Sequence, residues 1–210
     1  LADMLYDRSY IEDIEVTNED ILHFCSVDLV ESAMKQAHSK MIEKFEKVNG
    51  TIVFDPNVRL PLWEDPEACR QAILEFIPKA NVVKVSDEEL EFITGIKDET
   101  KAIQSLFKGN VVVVIYTKGP KGAQAFTKNK FTIEHQGYKV KAIDTTGAGD
   151  AFIGAVISRI LTSDMIDVAQ LFENEGKSIL KFGNKVAALT TTRYGAIESL
   201  PTIEEVNKEY

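Results

Sequence analysis

The sequence predicts an α/β fold with a mostly parallel sheet and helices on both faces, and three observations carry that reading. Short apolar runs rich in Val, Ile and Phe alternate with amphipathic stretches of helical period, and such alternation carries each strand across a helix to a parallel neighbour. Polar, often glycine-bearing segments follow these runs, at the strand ends where parallel sheets bind ligands. The 210 residues, 44% hydrophobic and 27% charged, are enough for one large core.

In chain order, buried strands are expected at residues 21–27, 51–55, 81–85 and 111–116, each short and bounded by Gly, Asn or Asp. Between the first two, Met34, Ala37, Met41, Ile42, Phe45 and Val48 recur at three- and four-residue spacing, so 31–48 reads as a helix that Asn49-Gly50 stops. Residues 67–77 and 99–108 read likewise. Ser86-x-x-Glu89 is a capping box that would open a helix over 87–94, ended by Gly95. A β-meander is expected over 123–127, 130–134 and 138–142, followed by helices at 148–161 and 168–189. No repeat, low-complexity tract or linker interrupts the series.

Composition excludes several classes. Net charge is −9 and no Lys/Arg run is present, so nothing would track a nucleic-acid backbone. The longest apolar run, about six residues around 111–116, is far short of a membrane span. Cys25 and Cys69 lie apart in apolar surroundings, as expected of buried thiols in a reducing cytoplasm. His23, His38 and His135 show no metal-ligand spacing. The first residue is Leu1, which leads to the expectation of a fragment rather than a complete translation product.

The most informative stretch is Asp144-Thr145-Thr146-Gly147-Ala148-Gly149-Asp150, which opens an apolar helix. A small-residue turn at a helix start leaves the N–H groups of Gly147, Ala148 and Gly149 pointing outward, an anion seat helped by the helix dipole. Asp150 sits at that seat. It is either one more first-turn acid or a general base that takes a proton from a hydroxyl while the amides hold charge on a phosphoryl group; spacing leaves both open. Thr117-Lys118-Gly119-Pro120-Lys121-Gly122 is not a Walker loop and reads as a tight turn or a phosphate-lining one. In Asp55-Pro56-Asn57-Val58-Arg59, followed by Pro61 and Trp63, the prolines stiffen the strand exit and hold Asn57 and Arg59 near it. Arg59 would either pack on Trp63 or meet a ligand. Small residues at 183, 187 and 188 give a late helix a flat wall. Residues 190–201 form a turn rich in hydroxyls and carbonyls, either a plain loop or oxygen ligands for a hard cation.

The 144–150 string resembles the D-T-x-G-A-G-D signature of the ribokinase-like (PfkB) carbohydrate kinases, and D-P-N-x-R-x-x-x-W is similar to bacterial fructokinases. The resemblance implies a three-layer α/β/α ribokinase-like fold. It implies Asp150 as catalytic base and Gly147, Ala148 and Gly149 as the anion hole. ATP would lie along Thr117, Lys118, Gly119 and Gly122, near Ser86 (where the family usually has Asn), with Asn184 beside the adenine. Glu89 would organise Mg²⁺ through water, and Asn57 and Arg59 would contact the sugar or the phosphoryl group. An activating K⁺ would be held by Asp144, Thr146, Thr190, Arg193, Gly195 and Ser199, several through backbone carbonyls. The implied reaction moves the γ-phosphoryl group of ATP to a sugar hydroxyl, first of all O6 of D-fructose. Alternatives are 2-keto-3-deoxygluconate or ribose as acceptor, or a nucleotide-binding module without turnover. The resemblance runs from about residue 21 to the end, so 21–210 are expected to be the nucleotide-binding and catalytic part of one domain. Residues 1–20 are expected to be a remnant next to the family's β-lid, with Ala2-Asp3-Met4-Leu5 resembling the segment after it. The family's first strands, its lid and most of its sugar site are absent from these residues, which makes the isolated fragment an expected non-catalyst. Expected partners are small molecules alone, and a homodimer is compatible with the intact protein.

Overall fold

The structure is a computed structural model that describes residues 5–165 and 167–208; Ala2, Asp3 and Met4 of the segment likened to the post-lid stretch lie outside them. The strands are β1 (Ile21–Cys25), β2 (Thr51–Asp55), β3 (Val82–Ser86), β4 (Val113–Thr117), β5 (Ala123–Thr127) and β6 (Thr132–His135). The helices are α1 (Ala33–Val48), α2 (Pro66–Phe76), α3 (Asp87–Thr94), α4 (Glu99–Ser105), α5 (Ala148–Leu161), α6 (Val168–Thr190) and α7 (Ile203–Asn207). The chain divides into two compact units, one ending at Val114 and the other starting at Ile115.

In the first unit β1, β2 and β3 pair in parallel, with Phe24 opposite Phe54 and Phe54 opposite Val83. Phe24 stacks on Phe54 at 4.6 Å and meets Phe76 of α2 edge-on at 6.0 Å. Each such ring buried from water contributes about 1.5–3 kcal/mol, and Phe54 and Phe76 are fully buried. β1 stops at Cys25, two residues before the expected end, because Ser26–Leu29 turn into a 3₁₀ segment. Helix ends follow local chemistry. The Ser32 hydroxyl accepts the Lys35 amide to open α1, Asp65 and Pro66 open α2, and Asp98 opens α4. Asn49, left-handed at φ 55°, closes α1.

In the second unit β5 and β6 form an antiparallel hairpin with Ala125 opposite Ile133. Glu173 of α6 ties down its tip, accepting from the Thr127 hydroxyl at 3.0 Å and the Asn129 amide at 2.9 Å. α5 and α6 pack closely: a Cβ on Gly183 would lie 2.9 Å from the Phe152 ring. Gly183 is thus where α6 lies against α5.

One expected element is absent. Residues 138–142, predicted as the third strand of the meander, are not a strand. Their alternation sets a face but supplies no ladder partner. The chain leaves the sheet at Gly137, where a Cβ would lie 2.4 Å from the Pro120 carbonyl oxygen. Tyr138 meets the His135 ring at 5.6 Å, and further on the amides of Ile143 and Asp144 both reach the Thr191 carbonyl, at 2.7 and 3.2 Å.

Candidate active site

In the second unit, the turn before α5 is held by its own first residue. One carboxylate oxygen of Asp144 accepts the Thr146 amide at 2.9 Å, and the other accepts the Gly195 amide at 3.2 Å. Hydrogen bonds from Thr146, its side chain and then its amide, followed by that of Gly195, hold the Asp144 carboxyl below the usual carboxylate range. Gly147 takes φ 77° at the N-cap, and a Cβ there would crowd Ala196 at 3.2 Å. The Ala148 amide, expected to point outward, instead donates to the Thr145 carbonyl at 3.2 Å, because the turn closes on itself before the helix begins, and the Gly147 carbonyl accepts the Ala151 amide at 2.8 Å. Helix geometry leaves the Gly149 and Asp150 amides without an intrahelical acceptor. Asp150 is exposed in this first turn. Beside it lies a cleft of about 440 Å³, bounded by Gly147, by Asp150, Gly154 and Ser158 of α5 and by Phe182 and Val186 of α6.

The Thr117–Gly122 segment closes on itself: the Lys118 amide donates to Gly122 O at 2.8 Å and the Gly122 amide to Gly119 O at 3.0 Å. Both glycines have positive φ, 51° and 96°. A Cβ on Gly122 would lie 2.2 Å from the His135 carbonyl oxygen, whereas at Gly119 it would meet nothing within 4 Å. Gly122 is therefore needed for packing, and the backbone at Gly119 stays open to a ligand. Lys118 lies over the Tyr116 ring at 4.7 Å. Asn184, buried on α6, donates through Nδ2 to the His135 carbonyl at 3.0 Å and meets His135 Nδ1 at 3.1 Å. Burial, then the charges of Lys181 and Lys177, press the His135 pKa below its ordinary value. The structure thus brings Gly122, Asn184 and His135 together. His135 has no role in the sequence reading, and no spacing signal marks it.

The expected cation-binding residues gather in part. Asp144 and Gly195 bond to each other. Thr190 and Ser199 are buried, with hydroxyls donating to the Val186 and Ala196 carbonyls at 2.9 and 2.8 Å. The Arg193 guanidinium is paired with Glu205, so its backbone, not its side chain, would face a cation. Among the described residues no three His, Cys, Asp or Glu side chains cluster to hold a metal ion.

The first unit holds the remaining candidates. Asp55 and Lys84, both buried, form a bidentate ion pair at 3.0 and 2.9 Å. Asn57 takes the left-handed conformation at φ 46°. Glu89 does more than cap α3. Oε2 accepts the Ser86 amide and hydroxyl at 2.9 and 2.8 Å, and Oε1 accepts the Val58 amide at 2.8 Å. Any metal water bound by Glu89 must share these oxygens. Arg59 is exposed, Nη1 lying 3.5 Å from the Val58 carbonyl. Neither thiol is poised as a nucleophile: burial, with Asp28 beside it, pushes Cys25 up to about 12, and burial pushes Cys69 to about 11.

Comparison with known proteins bears on this arrangement. The chain is 37% identical over 207 residues to fructokinase-2 of Solanum lycopersicum, covering 97% of this chain and 61% of that one. It superposes with TM-score 0.87 and 31% identity on a fructokinase double mutant of Vibrio cholerae O395, crystallised with fructose, ADP and a potassium ion, over 98% of this chain and 64% of that one. An ATP-bound fructokinase of Xylella fastidiosa gives TM-score 0.87 at 25% identity, over 97% of this chain and 65% of that one. The chain therefore spans about three fifths of the length of these relatives, and its fold is the ribokinase-like α/β fold they share. Residues 3–203 match the pfkB family carbohydrate kinases, and the chain belongs to that family.

Proposed function

We propose that these residues form the phosphoryl-transfer part of an ATP-dependent sugar kinase that converts D-fructose to fructose 6-phosphate. The observation that carries the reading is the start of α5, where a turn braced by Asp144 leads into the Gly149 and Asp150 amides, which lack intrahelical acceptors, with the Asp150 carboxylate among them. Asp150 takes the proton of the sugar hydroxyl as its oxygen attacks the γ-phosphorus. The bond from phosphorus to the β–γ bridging oxygen breaks, and ADP leaves. The Gly149 and Asp150 amides, at the positive end of the α5 dipole, face the charge that develops. Thr117, Lys118, Gly119 and Gly122 line the nucleotide, with Ser86 near its phosphates. Asn184 acts at the adenine by holding His135 and the end of β6 in place. Glu89 would hold Mg²⁺ through water, and the ion when bound would neutralise charge on the phosphates. Asp144, Thr146 and the 190–199 turn would hold K⁺, which would stiffen the anion seat.

The choice of fructose rests on the D-P-N-x-R-x-x-x-W stretch and on the fructokinases that the chain resembles. Residues 1–20 are assigned to the lid-proximal remnant and 21–210 to the catalytic part, with the main sugar-gripping segments outside this chain. The test is ATP-dependent phosphorylation of a sugar panel by a protein of full family length carrying these residues. Fructose is expected to give the highest kcat/KM. Preference for 2-keto-3-deoxygluconate or ribose would move the substrate, and ATP binding without transfer to any sugar would leave a nucleotide-binding module instead.

A further inference from the structure

Among the described residues, three non-glycine residues have positive φ: Asn49, Asn57 and Lys130. Two have plain structural reasons. Asn49 ends α1, its amide donating to Phe45 and Glu46, and Lys130 sits in the β5–β6 hairpin with its amide on Thr127. Asn57 neither caps a helix nor closes a hairpin. A strained residue at the carboxyl end of a parallel strand, with no local structural cause, points to function.

The turn around it is held at each position. The register that sets Val53 against Val82 and Phe54 against Val83 carries Asp55 opposite Lys84, which grips both its carboxylate oxygens at 2.9–3.0 Å. The Pro56 carbonyl accepts the Ser26 amide at 3.0 Å. The Val58 amide donates to Glu89 Oε1 at 2.8 Å, while the other oxygen of Glu89 is fixed by Ser86. A buried ion pair is poor value as a source of stability, since an apolar pair of like volume usually does as well; what it supplies is orientation.

We infer that Lys84, through Asp55, and Glu89, through Val58, are positioning residues that hold Asn57 and Arg59 in the conformation that binds hydroxyls of the acceptor sugar. The inference rests on the sugar-kinase reading above, which supplies the acceptor. Its structural half stands apart from that reading.

The test uses the double variant Asp55→Asn/Lys84→Met, which leaves no lone buried charge. In the 210-residue chain, amide exchange at Val58 is expected to accelerate while Val53 and Val83 in the β2–β3 ladder keep their protection. In the full-length kinase, KM for the sugar is expected to rise about 10–100-fold with KM for ATP unchanged. The single variant Lys84→Arg should restore both towards wild type. Unchanged Val58 exchange, or equal rises in both KM values, would overturn the assignment. If the double variant does not fold, Asp55→Asn decides alone: a rise in sugar KM with KM for ATP unchanged supports positioning, and an unchanged sugar KM overturns it. Failure of both variants to fold makes the pair structural and ends the proposal. A wild-type kinase without sugar-dependent turnover defeats the functional reading, and Val58 exchange still decides the positioning of the turn.

Discussion

At the scale of single residues, Asp150 is where the reading is most exposed to test. Its replacement by Asn keeps size and removes basicity. In the full-length kinase kcat is expected to fall about 10²–10⁴-fold with ATP affinity little changed; near wild-type turnover would remove Asp150 as the base. His135 makes a second residue-scale prediction. Its pKa is depressed in the fold, chiefly by burial, so between the ordinary His range and the lower folded value the unfolded chain holds more protons. Stability from this site is full above the ordinary His pKa near 6.5 and is lost as pH falls through that range to the folded value. Thermal melts of the chain should show a lower Tm at pH 5.5 than at pH 7.5, and the difference should shrink in His135→Gln. An undiminished difference in that variant would place the pH effect elsewhere. Asp144 follows its own sign, with a contribution present above the usual carboxylate range and lost only in stronger acid. Residue identities were legible where chemistry is local: Ser86 and Glu89 read as a capping box and form one. The reach of Glu89 to Val58, and of Asn184 to His135, was not. Those partners lie 31 and 49 residues apart, and no periodicity encodes a contact across such a distance.

At the scale of elements, the sequence located all the helices longer than seven residues to within a few residues, because caps and apolar period agree there. It erred where alternation stood in for a strand: residues 138–142 have the pattern but no ladder. A strand needs a neighbour, and pattern alone does not supply one. The turn that replaces it joins two elements through Asp144, whose carboxylate bonds to both Thr146 and Gly195. The buried hydroxyls of Thr190 and Ser199 belong to that second arm. A monovalent cation among the carbonyls of the arm would stiffen the start of α5 without touching substrate. The full-length kinase should therefore turn over faster in K⁺ than in Na⁺, and slowest with a bulky organic cation as the sole counter-ion. Asp144→Ala should abolish the preference while leaving some activity. Equal rates in all three salts would leave the 190–199 turn a plain loop.

At the scale of the whole molecule, exposed apolar side chains gather along one cleft. In the second unit Ile197 is 84% exposed, with Ile203 and Leu200 near it in sequence and also exposed, and all three line the cleft along α5. Gly154 faces open space in mid-helix, a position where glycine costs about 1 kcal/mol relative to alanine. Contiguous apolar surface of this kind seeks cover. The chain spans about three fifths of its relatives, and the proposed main sugar grip lies outside it. Phosphoryl transfer requires the hydroxyl to be held in line with the γ-phosphate and water to be kept out. Purified 1–210 is accordingly expected to self-associate, seen as a concentration-dependent rise in sedimentation coefficient, and to release ADP slowly with no dependence on fructose. Mutating the cleft rim with Ile197→Ser and Ile203→Ser should reduce the association without altering that slow hydrolysis. Fructose-dependent turnover by the isolated chain at roughly 1–10³ s⁻¹, the range of ordinary enzymes, would mean that the acceptor site is already complete within these residues. Asn57, Arg59 and the turn that holds them would then be its main part.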